Sequence, residues 1–331
     1  MSTVESASGA RSWLAARDVT ALRDYGIIAA FIALFIVLAV SSDAFLTFRN
    51  WSNILDQWSA VGIMAVGWTI AMIAGGFDLS IGAIYALAAV ISAKVAIEVD
   101  PAVGLFVGGI CGIAFGAFNG GVVTIGRIHS FIGTLASSFM IRGVALVISG
   151  GMLVRVLDDD LRPTTSFDTI GRGEFLGAKY DVYLFAGVIL VAAVLLHGTT
   201  FGRHVYAVGG NIEAARLSGV RVNFVRWMTF VITGITASIA GMIAASRVST
   251  GQADLGTGIE FDVIAAVVIG GSSILGGAGA IWRTVVGVLM LAMIRNGFNL
   301  LNFDPVYQRI VFGGIILGAV AIDAWARRTS T

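Results

Sequence analysis

Two short stretches hold most of the groups in this chain that could do chemistry. In AMIAGGFDLSIGAIYAL, residues 71–87, Asp78 and Ser80 follow Gly75 and Gly76 inside an otherwise apolar run. In AVVIGGSSILGGAGAIW, residues 266–282, Ser272 and Ser273 follow Gly270 and Gly271 in a similar layout. A carboxylate or hydroxyl in apolar surroundings suits two tasks: relaying an ion, or hydrogen-bonding a polar solute that crosses a membrane. Asn119, Thr134, Arg142 and Asn296 are further polar groups inside apolar runs, with Phe131 beside them in sequence at the start of the fifth run. Each polar group suits helix–helix hydrogen bonding equally well. Arg142 fits either a pairing within the bundle or a place on a pathway opposite Asp78.

The elements around these residues must position them. Gly75 and Gly76 are poor helix residues, while Asp78 and Ser80 are good N-caps, so one helix ends near Ala74 and another starts near Leu79. Irregular backbone at membrane depth must line a cavity or be covered by protein; at the inner surface the same sequence is only a capped turn. Spacing alone does not choose between these. In the second stretch Gly270 and Gly271 take the places of Gly75 and Gly76, and Ser273 that of Asp78. Matching interruptions in two halves are the trace of an internally duplicated transporter, so two inverted pseudo-repeats with broken helices are expected.

The composition says which solvent the chain is written for. Of 331 residues 57% are hydrophobic and 12% charged, with 43 glycines against three prolines. A soluble domain carries about twice that charged fraction. The net charge of +1 offers no basic face for nucleic acid. Lone Cys111 excludes a disulfide within the chain. An all-α polytopic membrane protein follows, in contact with lipid. About ten apolar runs approach the roughly 20 residues a crossing needs: 25–42, 54–74, 81–97, 102–123, 130–149, 181–197, 226–245, 261–275, 281–298 and 306–326. A polar tail at 1–24 precedes a permease domain over 25–326, and a second short tail covers 327–331. Basic residues mark the cytoplasmic side. Arg203, Arg216, Arg221 and Arg226 put the 198–226 loop inside, whereas the net-acidic 150–180 loop belongs outside. Ten spans with both termini cytoplasmic satisfy this distribution.

In the fourth run Gly104, Gly108, Gly112, Gly116 and Gly120 recur every four residues, one stripe along a helix that lets a neighbouring backbone approach closely. No phosphate-binding loop, metal-ligand cluster or hydrolase motif is legible, so neither an enzyme nor a self-powered pump is expected. In the 198–226 loop, Asn211 can cap a brief helix, Glu213 suits its first turn and Gly219 can end it. Two turns are not stable alone, so that helix must dock, either on the bilayer surface or on a soluble partner.

The blocks GGFDLSIGA, NGGVVTIGRIHSFIGTLASSFMIRGVALVISGG, YAVGGNIEAARLSGV, VIGGSSILGGAGAIW and RNGFNLL resemble, in the same order, those of the ribose, xylose and arabinose permease family of ATP-binding-cassette importers. The resemblance runs from about residue 45 to near the end. His129 and Ser130 depart from it where the family often has proline, and Ser137 and Ser138 replace more apolar residues. The resemblance implies a permease subunit for a monosaccharide or related polyol in a bacterial plasma (inner) membrane. It implies a homodimer, a cytoplasmic ATPase that holds ATP and Mg, and an extracytoplasmic sugar-binding protein; no cofactor belongs to this chain. It also implies that Asn211, Glu213, Ala214, Ala215, Arg216, Leu217, Ser218 and Gly219 contact the ATPase. Asp78, Ser80, Asn119, Phe131, Thr134, Arg142, Ser272, Ser273 and Asn296 are candidates for the path or its gate. The alternative is a secondary transporter driven by an ion gradient, which the scarcity of intramembrane carboxylates disfavours.

Overall fold

The computed structural model describes residues 25–157 and 165–304, together with 306–308, 310, 311, 313, 314, 317 and 318. The expected tails at 1–24 and 327–331, the acidic run Asp158 to Asp160 and much of 306–326 lie outside the described residues. Among those described, seven helices are long and apolar enough to cross a membrane. They are α2 (Phe48–Ile73), α3 (Ile81–Glu98), α4 (Pro101–Thr124), α5 (Ser130–Ser149), α7 (Tyr180–Gly198), α10 (Val222–Val248) and α12 (Ile281–Leu300). Two shorter apolar helices, α1 (Tyr25–Ser41) and α11 (Ile259–Ile269), correspond to two more of the expected runs. The remaining elements are α6 (Thr165–Arg172), α8 (Thr200–Gly210), α9 (Ile212–Leu217) and four two-residue strands.

Local capping explains where the boundaries differ from hydropathy. α2 starts at Phe48 rather than 54 because Thr47 Oγ1 accepts from the Asn50 amide at 3.3 Å. α4 starts at Pro101, which needs no hydrogen-bond acceptor at the first helical position, while Asp100 Oδ1 accepts from Ala102 N at 2.8 Å and Val103 N at 3.1 Å. The run at 261–275 is helical only to Ile269, because Gly270 and Gly271 end α11 there.

Helix α10 is the centre of the bundle, packed against α2, α3 and α4. It runs antiparallel to α2: Asp56 meets Arg247, Gly67 meets Thr236, and Gly76 meets the Phe230 ring. The glycine stripe of α4 divides between two partners. Gly104 and Gly108 lie against Ser92 of α3, and Gly112, Gly116 and Gly120 lie against Gly234, Phe230 and Trp227 of α10. At the tightest point a Cβ on Gly112 would stand 1.8 Å from the Gly234 carbonyl oxygen. Trp227 Nε1 and Ser238 Oγ then reach across to donate to the Ala117 and Gly109 carbonyls at 3.0 and 2.6 Å.

The described parts of the 150–180 loop carry defined structure. Strand β1 (Val154–Arg155) pairs antiparallel with β4 (Thr250–Gly251), and β2 (Glu174–Phe175) pairs with β3 (Ala178–Lys179). Helix α6 docks on the end of α10: Ser246 Oγ donates to the Phe167 carbonyl at 2.6 Å, and Arg172 Nε donates to the Arg247 carbonyl at 2.7 Å. Beneath it Arg247 pairs with Asp56 at 2.8 Å and with Asp181, while Lys179 Nζ reaches Asp56 at 2.7 Å. This ionic cluster ties the ends of α2, α7 and α10 together.

The α4–α10 crossing yields a matched pair of variants. Gly112→Ala is expected to destabilise the protein by about 1–3 kcal/mol through overpacking. Gly121→Ala, on the same helix with nothing within 4 Å of the added carbon, is expected to leave stability unchanged or slightly raised. Thermal loss of the monodisperse peak in detergent size-exclusion chromatography compares the two.

Candidate functional site

The break after α2 is a Schellman motif. Gly75 takes φ +75°, its amide donates to the Met72 carbonyl at 2.9 Å, and the Gly76 amide donates to the Ala71 carbonyl at 2.8 Å. The break after α11 is the same motif. Gly271 takes φ +76°, its amide donates to Val268 O at 2.8 Å, and the Ser272 amide donates to Val267 O at 3.1 Å. Gly75 therefore corresponds to Gly271, one residue away from the match that sequence suggests. Asp78 falls opposite Ile274, not Ser273. α12 runs antiparallel both to α2, through Asn50–Asn296 and Thr69–Thr284, and to α11, through Asp262–Arg295, Ala266–Gly287 and Gly270–Arg283. Helices α2 and α11 thus enter their breaks in the same direction, so the relation between the breaks is not an inversion.

Residues 77–80 carry a dense set of bonds. Ser130 Oγ accepts from the Phe77 amide at 3.1 Å, and Thr134 Oγ1 accepts from the Leu79 amide at 2.9 Å. Trp68 Nε1 donates to the Asp78 carbonyl at 2.8 Å. The Asp78 side chain, wholly buried, accepts from the Ser80 amide and hydroxyl at 2.9 and 2.6 Å through Oδ1. Its Oδ2 accepts from Thr233 Oγ1 at 2.6 Å. Asn119 Nδ2 in turn donates to Ser80 Oγ at 2.6 Å. Thr233 lies 11 residues into α10, about 17 Å along it at a rise of about 1.5 Å per residue. The break is therefore inside the bundle and covered by protein, not a turn at its end.

The expectation that Asp78 and Ser80 cap α3 is corrected by this geometry. Ser80 is the N-cap residue but its side chain makes no capping bond. Asp78 braces the approach to the helix instead, and Glu260 lies against the first turn, its Oε2 2.3 Å from where a Cβ on Gly82 would stand. A negative group there complements the helix dipole.

Of the candidate path residues, Asp78, Ser80, Asn119 and Thr134 come together in this network. Phe131 joins through Phe77, whose ring lies 5.7 Å from it and 5.0 Å from Trp68. Ser272 and Ser273 lie buried at the second break. Arg142 is elsewhere and does not face Asp78: it donates to the Ala253 carbonyl at 3.0 Å and to Thr257 Oγ1 at 3.1 Å. Asn296 is a helix–helix tie, exchanging amide bonds of 2.7 and 3.1 Å with Asn50. Thr233 and Trp68 were not singled out from sequence, and Ser130 was named only as a departure from the family pattern. The spacing of Thr229, Thr233 and Thr236 on one face of an apolar run was the available signal for the first.

On the other side of the breaks, α8 leads through Asn211 into α9. Asn211 Oδ1 accepts from the Ala214 amide at 2.9 Å, Glu213 sits in the first turn, and Gly219 at φ +82° follows the helix. Glu213 and Arg216 pair at 2.7 Å on an open face, and Leu217 is 89% exposed, while Ala215 is buried beneath. Among the described residues no group of three or more His, Cys, Asp or Glu side chains could hold a metal.

The protein family described as branched-chain amino acid transport system, permease component, matches residues 50–320. The ribose import permease protein RbsC of Escherichia coli strain K12 is 40% identical over 296 residues, covering 88% of this chain and 92% of that protein. RbsC of Bacillus subtilis is 38% identical, covering 88% and 89%. The L-arabinose transport system permease protein AraH of E. coli K12 is 37% identical, covering 92% and 91%. No solved structure matches the chain.

The Asp78 network predicts an asymmetric pair of variants. Asp78→Asn keeps an acceptor for Ser80 and offers an amide to Thr233, so it is expected to stay close to the parent in thermal stability. Asp78→Ala leaves buried hydroxyl and amide donors without that partner and is expected to cost about 1–3 kcal/mol. Thermal midpoints of the purified proteins in one detergent check the order.

Proposed function

The chain belongs to this permease family, and we propose that it is the membrane subunit of a binding-protein-dependent importer whose cargo is a monosaccharide of the pentose class. RbsC and AraH are named for ribose and arabinose, and the similarity spans nearly the whole length of each. The importer reading is favoured over an ion-driven carrier by these relatives. α1, the seven long helices and α11 fit nine of the ten passes expected from hydropathy, through a bacterial inner membrane with both termini cytoplasmic. Two copies would form the transport unit, with the break at Gly75–Ser80 and the Phe77–Phe131 rings on or beside its path.

The observation that carries the reading is α9. It is a helix of six residues, too short to hold itself. It is nonetheless capped at its start, followed by a left-handed glycine and braced by buried Ala215. Its charged and apolar tip faces outward. Such an element is suited to fill a groove on a separate ATPase, which would bind ATP and Mg and supply the energy. A sugar-binding protein on the opposite face would deliver the solute. The alternating states would follow from displacement of α9 as the ATPase closes and opens.

Capture of the tagged chain from its own membranes in mild detergent is expected to bring down a P-loop ATPase in stoichiometric amount. Absence of one, even after crosslinking, would overturn the reading. Arg216→Glu, which reverses a charge on the open face of α9 and puts it beside Glu213, is expected to abolish sugar uptake while insertion into the membrane stays at parental level. Uptake at the parental rate would rule out α9 as the contact.

A further inference from the structure

Resting on that importer reading, we propose that Gly209 is a positioning residue that joins α9 to both helix breaks, so that the two breaks move as one body with it. Three segments meet here by their backbones alone. At the end of α8, two residues before Asn211 caps α9, a Cβ on Gly209 would stand 1.7 Å from the Ile73 carbonyl oxygen and 2.6 Å from the Gly277 amide. Those two groups are bonded to each other: Gly277 N donates to Ile73 O at 2.8 Å, tying the last turn of α2 to the turn that follows the second break. That turn is closed on itself by Ser273 N donating to Ala278 O at 2.8 Å. A Cβ on Gly276 would meet the Gly75 backbone at 3.0 Å and the Gly209 carbonyl at 3.2 Å. Tyr206, one turn earlier on α8, donates from its hydroxyl to the Gly279 carbonyl at 2.9 Å.

A side chain between two helices can absorb a small shift by changing rotamer, whereas backbone in contact with backbone cannot. Contact by glycine at this place therefore passes a displacement of α8 and α9 to Ile73 and Gly277 without loss. Through the Schellman caps it reaches Gly75–Ser80 on one side and Gly271–Ser273 on the other. Gly209 is at the crossing of all three segments. The adjacent Gly210 offers a control, since a Cβ added there meets nothing within 4 Å. Both substitutions to alanine favour the helix intrinsically, so any difference between them comes from the contact.

The test uses the full chain with its co-purified ATPase in nanodiscs, with Cys111→Ala and a reporter at Leu275→Cys, a position 71% exposed in the turn after the second break. Maleimide labelling of the reporter is timed without nucleotide and with Mg–ATP plus vanadate. The parent and Gly210→Ala are expected to change labelling rate several-fold on trapping. Gly209→Ala is expected to retain the ATPase and its hydrolysis but to lose the nucleotide dependence of labelling. Equal dependence in Gly209→Ala and the parent would overturn the proposal and leave the importer reading standing. A parent that captures the ATPase yet shows no nucleotide response would overturn the proposal alone, and a parent that captures no ATPase would fail the importer reading. Should Gly209→Ala not assemble, Tyr206→Phe keeps the packing and removes only the bond to Gly279. It is expected to reduce the amplitude of the labelling change at unchanged stability, and a full amplitude would overturn the joint.

Discussion

The rest of this structure depends on one constraint: a chain that stops being helical inside a bundle must still give its peptide groups partners. Both breaks meet it first with the same local device, a left-handed glycine that folds two amides back onto the preceding turn. Beyond that the solutions diverge. After Gly76 the partners are side chains: Ser130 and Thr134 of α5, Trp68 of α2, and the Asp78 carboxylate for Ser80. After Gly271 they come from the following residues, which close into a turn that in turn supplies an amide to the end of α2. One break is braced by neighbours, and the other serves as a brace.

That division sorts the polar residues of the apolar runs. Thr69 with Thr284 and Asn50 with Asn296 are ties between α2 and α12, bonded across at 2.6 Å and 2.7 Å, with the Ala65 and Phe45 carbonyls also accepting from Thr69 and Asn50. Asp78, Ser80, Asn119 and Thr233 instead link three different elements around one point. Replacing both members of a tie by apolar residues removes the donor and the acceptor of the crossing together. A change in the Asp78 network strands groups belonging to several helices.

Features whose cause is local were legible in the sequence. The ends of α2 and α11 at double glycines, the Asn211 cap, and the α4 stripe each follow from a residue and its immediate neighbours. What was not legible depends on distant segments. The depth of the first break required Thr233, 155 residues away in sequence. The one-residue offset between the breaks arises because Gly270, at φ −64°, takes the C-cap place that Ala74 holds after α2 and leaves the left-handed position to Gly271. Arg142 found its acceptors in the loop before α11, which hydropathy does not describe. Gly209 looked like one more glycine in a loop, because the reason for it is a carbonyl at the end of α2.

The ionic cluster of Arg247 with Asp56 and Asp181 has a mechanical meaning for α10. That helix has 27 residues, about 40 Å at a rise of about 1.5 Å per residue. Its far end is anchored to α2, α6 and α7, while its near end begins a few residues beyond α9. A rod pinned at one end and pushed at the other swings about the pin. Displacement then grows with distance from Arg247, is small at Gly241, which lies against Tyr85 of α3, and is larger at Thr233 and Phe230, where the first break touches the rod. The end of the bundle at Arg247 can stay a fixed seat while the end beside α9 sweeps an arc.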